Sequence, residues 1–272
     1  MADLDYQLDQ DSNKVSTIGC ISPKAKIIIS ISIVAIFLIA LIIIILVVTL
    51  EEDEKDRTLD PTGFTIINDI VPDIITELRY FSTYNFVGDK IDGYEEPIAI
   101  LTKVAAEHLK NASDDFDRQG YRIKIWDSYR PQRAVSHFMR WIKDESDIRM
   151  KKYFYPNEDK SNLVPKGYIA ERSGHSHGST LDMTLIYKDN ATEVDFGTGF
   201  DYFGERANTN HTEGLTPEQI KNRHILNDTM SKYGFVNLYT EWWHYTLKNE
   251  PFPQIYFDFP VNGTIIRLNG NK

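Results

Sequence analysis

Three separated segments hold side chains that together could hydrolyse a peptide bond. They are Ser173-Gly174-His175-Ser176-His177-Gly178-Ser179-Thr180-Leu181-Asp182, then Glu241-Trp242-Trp243-His244, and Asp127-Ser128-Tyr129-Arg130-Pro131. Two histidines and an aspartate suffice to hold one divalent cation and leave a position for water. A glutamate three residues before the second histidine can take a proton from that water. An arginine offers paired donors and permanent charge to an oxyanion forming on a substrate carbonyl.

Two assignments stay open on residue types alone. His175 and His177 would face the same way in a strand, so either could be the ligand beside Asp182 and His244. Arg130 could serve chemistry or only an ion pair with Asp127. Glu241 shares a face with His244 in a helix but not in an ideal strand, so a strand there needs a bend to aim it. Trp242 and Trp243 read as core, and His108, His137, His211 and His224 as structural or surface residues.

The elements that must position these groups are mixed. Ile98, Leu101, Val104, Ala105, Leu109, Ala112 and Phe116 recur at helical spacing and predict a helix over about 97–118. Tyr121, Ile123 and Ile125 alternate with Arg122, Lys124 and Trp126, a strand running into the arginine segment. Pro131 marks the start of a second helix. Leu181 to Ile186 alternates as a strand that begins near Asp182. Thr216-Pro217-Glu218-Gln219 has a capping box, and Gly234 can close that helix. Phe235 to Thr240 and Tyr245 to Leu247 flank the glutamate segment as strands. Without regular βαβ alternation the class is α+β, a central antiparallel sheet with flanking helices.

The formal charge of −10 over 272 residues, with no dense basic block, argues against a nucleic-acid surface. Cys20 is the sole cysteine, which excludes an intrachain disulfide and zinc-finger-type thiolate sites. Residues 27–50 form an uncharged apolar run long enough to span a bilayer, ending at Glu51-Glu52-Asp53-Glu54 without a signal-cleavage pattern. The expected organisation is a cytoplasmic tail over 1–26, a transmembrane helix over 27–50, a charged juxtamembrane linker over 51–61 and one catalytic domain over 62–272. Five glycosylation sequons, at Asn111, Asn190, Asn210, Asn227 and Asn262, all follow the apolar run, which places that domain outside the cytosol. Cys20 would then lie near the membrane, as a candidate for palmitoylation.

The chain resembles the VanX-type D-alanyl-D-alanine dipeptidases, a group of zinc metallopeptidases. Their pattern Ser-x-His-x-x-Gly-x-Ala-x-Asp followed by Glu-x-Trp-His is met by Ser173, His175, Gly178, Asp182, Glu241, Trp243 and His244. Thr180 departs from the usual alanine, a change expected to crowd the site. His177 stands where arginine is frequent, so the resemblance assigns the ligand to His175 and leaves His177 outside. Further matches include Leu78-Arg79-Tyr80, Asp92-Gly93-Tyr94, Tyr129-Arg130-Pro131, Phe200-Asp201 and Tyr256-Phe257-Asp258-Phe259-Pro260, from about Ile66 to Val261.

The resemblance implies a single zinc-peptidase domain with one Zn2+ per chain on His175, Asp182 and His244. Glu241 would act as general base and Arg130 would hold the oxyanion of a small dipeptide. Asp201 would meet the substrate ammonium, with Tyr80 and Ser173 nearby. Two other classes compete. A catalytically silent surface binder of cell-wall peptides predicts a lost ligand or base, and neither is missing. A non-haem iron oxygenase also uses two histidines and a carboxylate, but has no evident use for Glu241 and Arg130.

Overall fold

The computed structural model describes residues 22–269, so the Cys20 reading and most of the expected tail lie outside the described residues. The chain divides at Asp53–Glu54 into two units. Helix α1 (Pro23–Leu59) begins in the first unit. Its segment from Lys26 is long and apolar enough to cross a membrane, and its apolar side chains are exposed. The charged stretch expected as a linker continues as helix to Leu59.

The second unit begins with β1 (Phe64–Ile66), the short α2 (Ile67–Ile70) and β2 (Ile75–Thr76). After a long irregular stretch come β3 (Ile100–Thr102), α3 (Lys103–Arg118) and β4 (Tyr121–Asp127). Then follow α4 (Gln132–Lys143), α5 (Lys151–Phe154) and β5 (Thr180–Tyr187). The chain closes with α6 (Pro217–Lys232), β6 (Phe235–Asn237), β7 (His244–Leu247) and α7 (Gly263–Asn269). The central sheet has the order β2-β4-β5-β7-β6, and β1 pairs with β3 in a separate ribbon. Within the central sheet all neighbours are antiparallel except β2, which runs parallel to β4 at the edge. The α+β class is therefore correct, with that one parallel edge added.

Helix α3 starts at Lys103 rather than near 97, which corrects the periodicity reading. Ile98 and Leu101 fit a helical spacing, but Leu101 lies on β3 and pairs instead with Thr65 on β1. Thr102 ends that strand and caps the helix, its hydroxyl accepting from the Ala105 amide. A short apolar run cannot by itself distinguish strand from buried helix. The capping box at Thr216 and Gln219 forms as expected, and Gly234 follows the helix with φ of 87°.

Aromatic rings dominate the core near the site. Phe64 packs edge-on against Tyr129, Phe257 and Phe259. A second cluster joins Tyr80, Phe86, Phe138, Trp141 and Phe203. Trp242 and Trp243 are buried, as expected.

Candidate metal and substrate site

The sheet supplies one row of site residues. Asp127 stands opposite Asp182 across β4 and β5, and Asp182 stands opposite His244 across β5 and β7. Directly paired residues share a face, so the three side chains meet on one side of the sheet. A register irregularity between Ile125 and Asp127 adjusts the end of β4.

His175 comes from a different device. Residues Gly174–His177 form a 3-10 turn capped by the Ser173 hydroxyl, which accepts from the His175 amide. Gly178 closes the turn in the left-handed region, φ 80°. A built Cβ there would lie 2.0 Å from Phe64 Cε1, so only glycine fits. In this turn, unlike a strand, His175 and His177 part company. His175 faces Asp182 and His244, while the His177 Nδ1 lies 3.0 Å from Glu250 Oε1 and its ring packs on Tyr256.

The donor atoms lie close enough together to share one cation. His175 Nε2 is 3.3 Å from Asp182 Oδ2 and 3.3 Å from His244 Nδ1, and His244 Nδ1 is 3.1 Å from Asp182 Oδ1. Zinc bonds of about 2.0–2.1 Å in tetrahedral array space ligand atoms roughly 3.3 Å apart. His175 Nδ1 donates to the Ser128 carbonyl at 2.7 Å, which leaves the Nε2 lone pair free for a cation. Asp182 Oδ1 is buried without a hydrogen bond. Histidine and carboxylate donors suit zinc.

The electrostatics match a site built around a cation. Burial works against an ionised Asp182, yet the His175 and His244 rings hold its carboxyl well below the usual range. Burial also works against a charged His244, but Asp182 and Glu241 raise its imidazole to about 9. A bound cation would displace that proton.

Glu241 lies in the turn between β6 and β7. Its amide donates to the Leu238 carbonyl, and the His244 amide donates back to the Glu241 carbonyl at 3.3 Å. The Asn237 side-chain amide bonds the carbonyls of both Glu241 and His244. This turn, rather than a strand, brings the two side chains together, with Glu241 Oε2 3.4 Å from His244 Nδ1. No motif marks Asn237, because the atoms it holds in this turn are backbone carbonyls.

Arg130 forms the expected ion pair with Asp127 and still reaches the metal-donor set. Its Nε donates to Asp127 Oδ2 at 2.8 Å, while the terminal nitrogens approach Asp182 Oδ2 and Ser173 Oγ at 3.5 Å each. The guanidinium carbon sits 4.9 Å from the Tyr80 ring centre and 5.3 Å from that of Phe138. Asp127 is fully buried, accepts also from Tyr94 OH at 2.6 Å, and lies 3.6 Å from His175 Nδ1.

His175, Asp182, His244, Glu241 and Arg130 line a cavity of about 260 Å3, together with Tyr80, Ser173 and Asp201. That volume is below the roughly 300–1,000 Å3 of drug-sized pockets, so it suits a small ligand. Asp201 is buried, accepts the Tyr80 hydroxyl at 2.9 Å and holds a positive φ of 57°. Such a backbone costs on the order of 1–3 kcal/mol and persists only when its surroundings enforce it. Burial first, then the Asp182 carboxylate, pushes the Asp201 carboxyl well up. Burial and Asp201 likewise raise the Tyr80 phenol, which keeps it a donor.

Thr180 crowds less than its position implied, because its hydroxyl turns to Thr246 Oγ1 at 2.9 Å. His108 bonds the Tyr233 carbonyl, His137 pairs with Asp92 and His211 bonds the Glu213 carbonyl, so these three are structural. Among the described residues, His175, Asp182 and His244 are the one cluster able to hold a metal ion. The Asn111, Asn190 and Asn210 side chains are exposed, whereas the Asn262 amide is bonded to Glu95.

Residues 60–262 match the peptidase M15 family, described as D-Ala-D-Ala dipeptidase. A D-alanyl-D-alanine dipeptidase of Enterococcus faecium is 39% identical over 199 residues, 73% of this chain and 98% of that protein. One from Streptomyces coelicolor is 36% identical over 198 residues, again 73% and 98%. One from Escherichia coli is 30% identical, covering 69% and 86%. Among solved structures, a zinc-bound variant of the vancomycin-resistance D,D-pentapeptidase VanY aligns with TM-score 0.35 and 13% identity, covering 58% of this chain and 78% of that one. The LD-carboxypeptidase LdcB aligns with TM-score 0.38 and 16% identity, covering 71% of each chain. The chain belongs to the peptidase M15 family of D-Ala-D-Ala dipeptidases and is a hydrolase.

Proposed function

We propose that this protein is a membrane-anchored zinc dipeptidase that cleaves D-alanyl-D-alanine or a similar small dipeptide. The observation that carries the reading is the spacing of the His175, Asp182 and His244 donor atoms, 3.1–3.3 Å apart, beside Glu241 and Arg130 in one small cavity. His175 Nε2, His244 Nδ1 and the Asp182 carboxylate would hold one zinc ion. Bound there, zinc would supply a Lewis acid that polarises the scissile carbonyl and lowers the pKa of water.

The chain's own groups divide the remaining work. Asp201 and Tyr80 take the substrate ammonium, with Ser173 nearby, and so fix which peptide bond reaches the centre. Glu241 accepts a proton from the attacking water as its oxygen bonds to the carbonyl carbon. Arg130, anchored through Nε to Asp127, turns its terminal N–H groups to the resulting oxyanion. Glu241 then delivers the proton to the amine as the C–N bond breaks, releasing two amino acids. A buried carboxylate that demands an ammonium disfavours N-terminally longer chains, whose amide nitrogen cannot replace it.

Residues 27–50 serve in this reading as an uncleaved anchor, with 1–26 cytoplasmic, 51–61 a juxtamembrane linker and 62–272 the catalytic domain outside the cytosol. The exposed apolar helix and the sequons beyond it support that arrangement. Full-length protein in detergent, incubated with D-Ala-D-Ala and followed by mass spectrometry, tests the activity. Free alanine should form, cease with a chelator and return with zinc. A zinc-loaded chain that forms none would sink the reading. Protease treatment of intact cells should remove the catalytic domain and spare the N-terminus; the reverse pattern contradicts the orientation.

A further inference from the structure

The proposed reading gives the substrate's ammonium a partner but leaves its carboxylate without one. A dipeptide carries both charges, about 6 Å apart along an extended backbone. Bringing an ionised carboxylate into a cavity without a cation is costly. Two arginines line this cavity, Arg130 and Arg172. Arg130 is already bound to Asp127 and covered by the Tyr80 and Phe138 rings.

Arg172 is differently placed. It lies on the stretch from Gly167 to Ser173 that borders the cavity, next to the serine that caps the His175 turn. It is exposed, and no carboxylate of the described residues comes within ion-pair distance of it. Its guanidinium carbon sits 4.6 Å from the centre of the Tyr256 ring. Tyr256 in turn packs edge-on against His177, ring centres 4.6 Å apart, and His177 is held by Glu250 at 3.0 Å. The second histidine of the motif, which turns away from the metal donors, thus braces the platform under Arg172.

We propose that Arg172 binds the C-terminal carboxylate of the dipeptide, making a free carboxylate next to the scissile bond a requirement for efficient cleavage. This inference rests on the dipeptidase reading above. A guanidinium stacked on an aromatic face keeps its N–H edge available for a bidentate carboxylate contact. Tyr256 is then a positioning residue, acting through Arg172 and not on the substrate.

The test compares D-Ala-D-Ala with its C-terminal amide, using full-length protein in detergent. Wild type should prefer the free acid by about tenfold or more in kcat/KM, the value of one charge-assisted contact. Arg172→Ala should lose most of that preference through a raised KM for the acid, with the amide little changed. Arg172→Lys should keep part of it. Tyr256→Phe should keep the preference and Tyr256→Leu should weaken it. Equal cleavage of acid and amide by wild type overturns the proposal, as does an Arg172→Ala variant that slows both substrates alike. Failure of zinc-loaded wild type to cleave either substrate contradicts the dipeptidase reading itself, and this inference with it.

Discussion

Asp182 stands directly opposite His244 in the antiparallel pairing of β5 with β7, its Oδ1 3.1 Å from the imidazole Nδ1. Asp127 occupies the next place in the same row, across β4. Residues 55 and 62 positions apart in sequence thereby become neighbours, on a scaffold whose backbone bonds are fixed by the sheet. The 3-10 turn adds His175 from the side. Two donor groups ride on strands and the third on a turn locked by Gly178, which limits how far the set can relax when empty.

Asp127 should matter to turnover without touching substrate. It holds Arg130 through Nε and lies beside His175. Asp127→Asn keeps the shape and removes the charge, so kcat should fall about 10–100-fold with KM little changed, typical of a group that orients others. Steady-state kinetics at matched zinc content decide this. An unchanged kcat would remove Asp127 from the account.

The ammonium end gives a different kinetic signature. Asp201→Asn should raise KM for the dipeptide by about 10–100-fold, as a hydrogen-bonded charge is lost. Tyr80→Phe, which removes one neutral donor from Asp201, should cost roughly 3–10-fold. If both variants bind a non-cleaved dipeptide analogue as wild type does in calorimetry, the ammonium lies elsewhere.

Gly178→Ala tests the turn. The added methyl would meet Phe64 at 2.0 Å and the backbone holds φ of 80°. Overpacking and the left-handed penalty together predict a loss of about 2–5 kcal/mol. Urea unfolding should show this as a lower midpoint with a similar slope; an unchanged midpoint would mean the turn is not tightly packed against Phe64.

Acid sensitivity has a defined contributor away from the site. Lys232 and Tyr233 at the end of α6 hydrogen-bond Asp115 on α3 and lower its carboxyl from 3.8 to about 2. A lowered folded-state pKa stabilises the fold above the unfolded value and is lost as pH falls. Asp115→Asn should therefore depress Tm at pH 6, and its deficit should shrink between about pH 4 and 2. A deficit constant across that window would contradict the link.

Much of the site was legible because its chemistry needs charged and imidazole groups at short, fixed intervals. The Ser173–Asp182 and Glu241–His244 segments both fall where the structure brings them together. Less legible was how each segment bends. The two histidines of Gly174–His177 diverge because backbone capping by Ser173 and Gly178 makes a 3-10 turn, and neither cap has a periodic signal. Strand β3 hid inside a helical spacing because three residues fit either period. The parallel edge β2 is two residues long and carries no pattern at all. Asn237, Ser128 and Tyr94 act through backbone carbonyls or a buried carboxylate, contacts that only the fold creates.

The most direct test of the central claim is the turnover of D-Ala-D-Ala by Glu241→Gln relative to wild type, both at one zinc per chain. Glutamine fills the same space but cannot accept the proton. The account predicts that kcat falls about 10²–10⁴-fold while zinc stays bound. A Glu241→Gln chain that retains zinc and cleaves the dipeptide at the wild-type rate would contradict it.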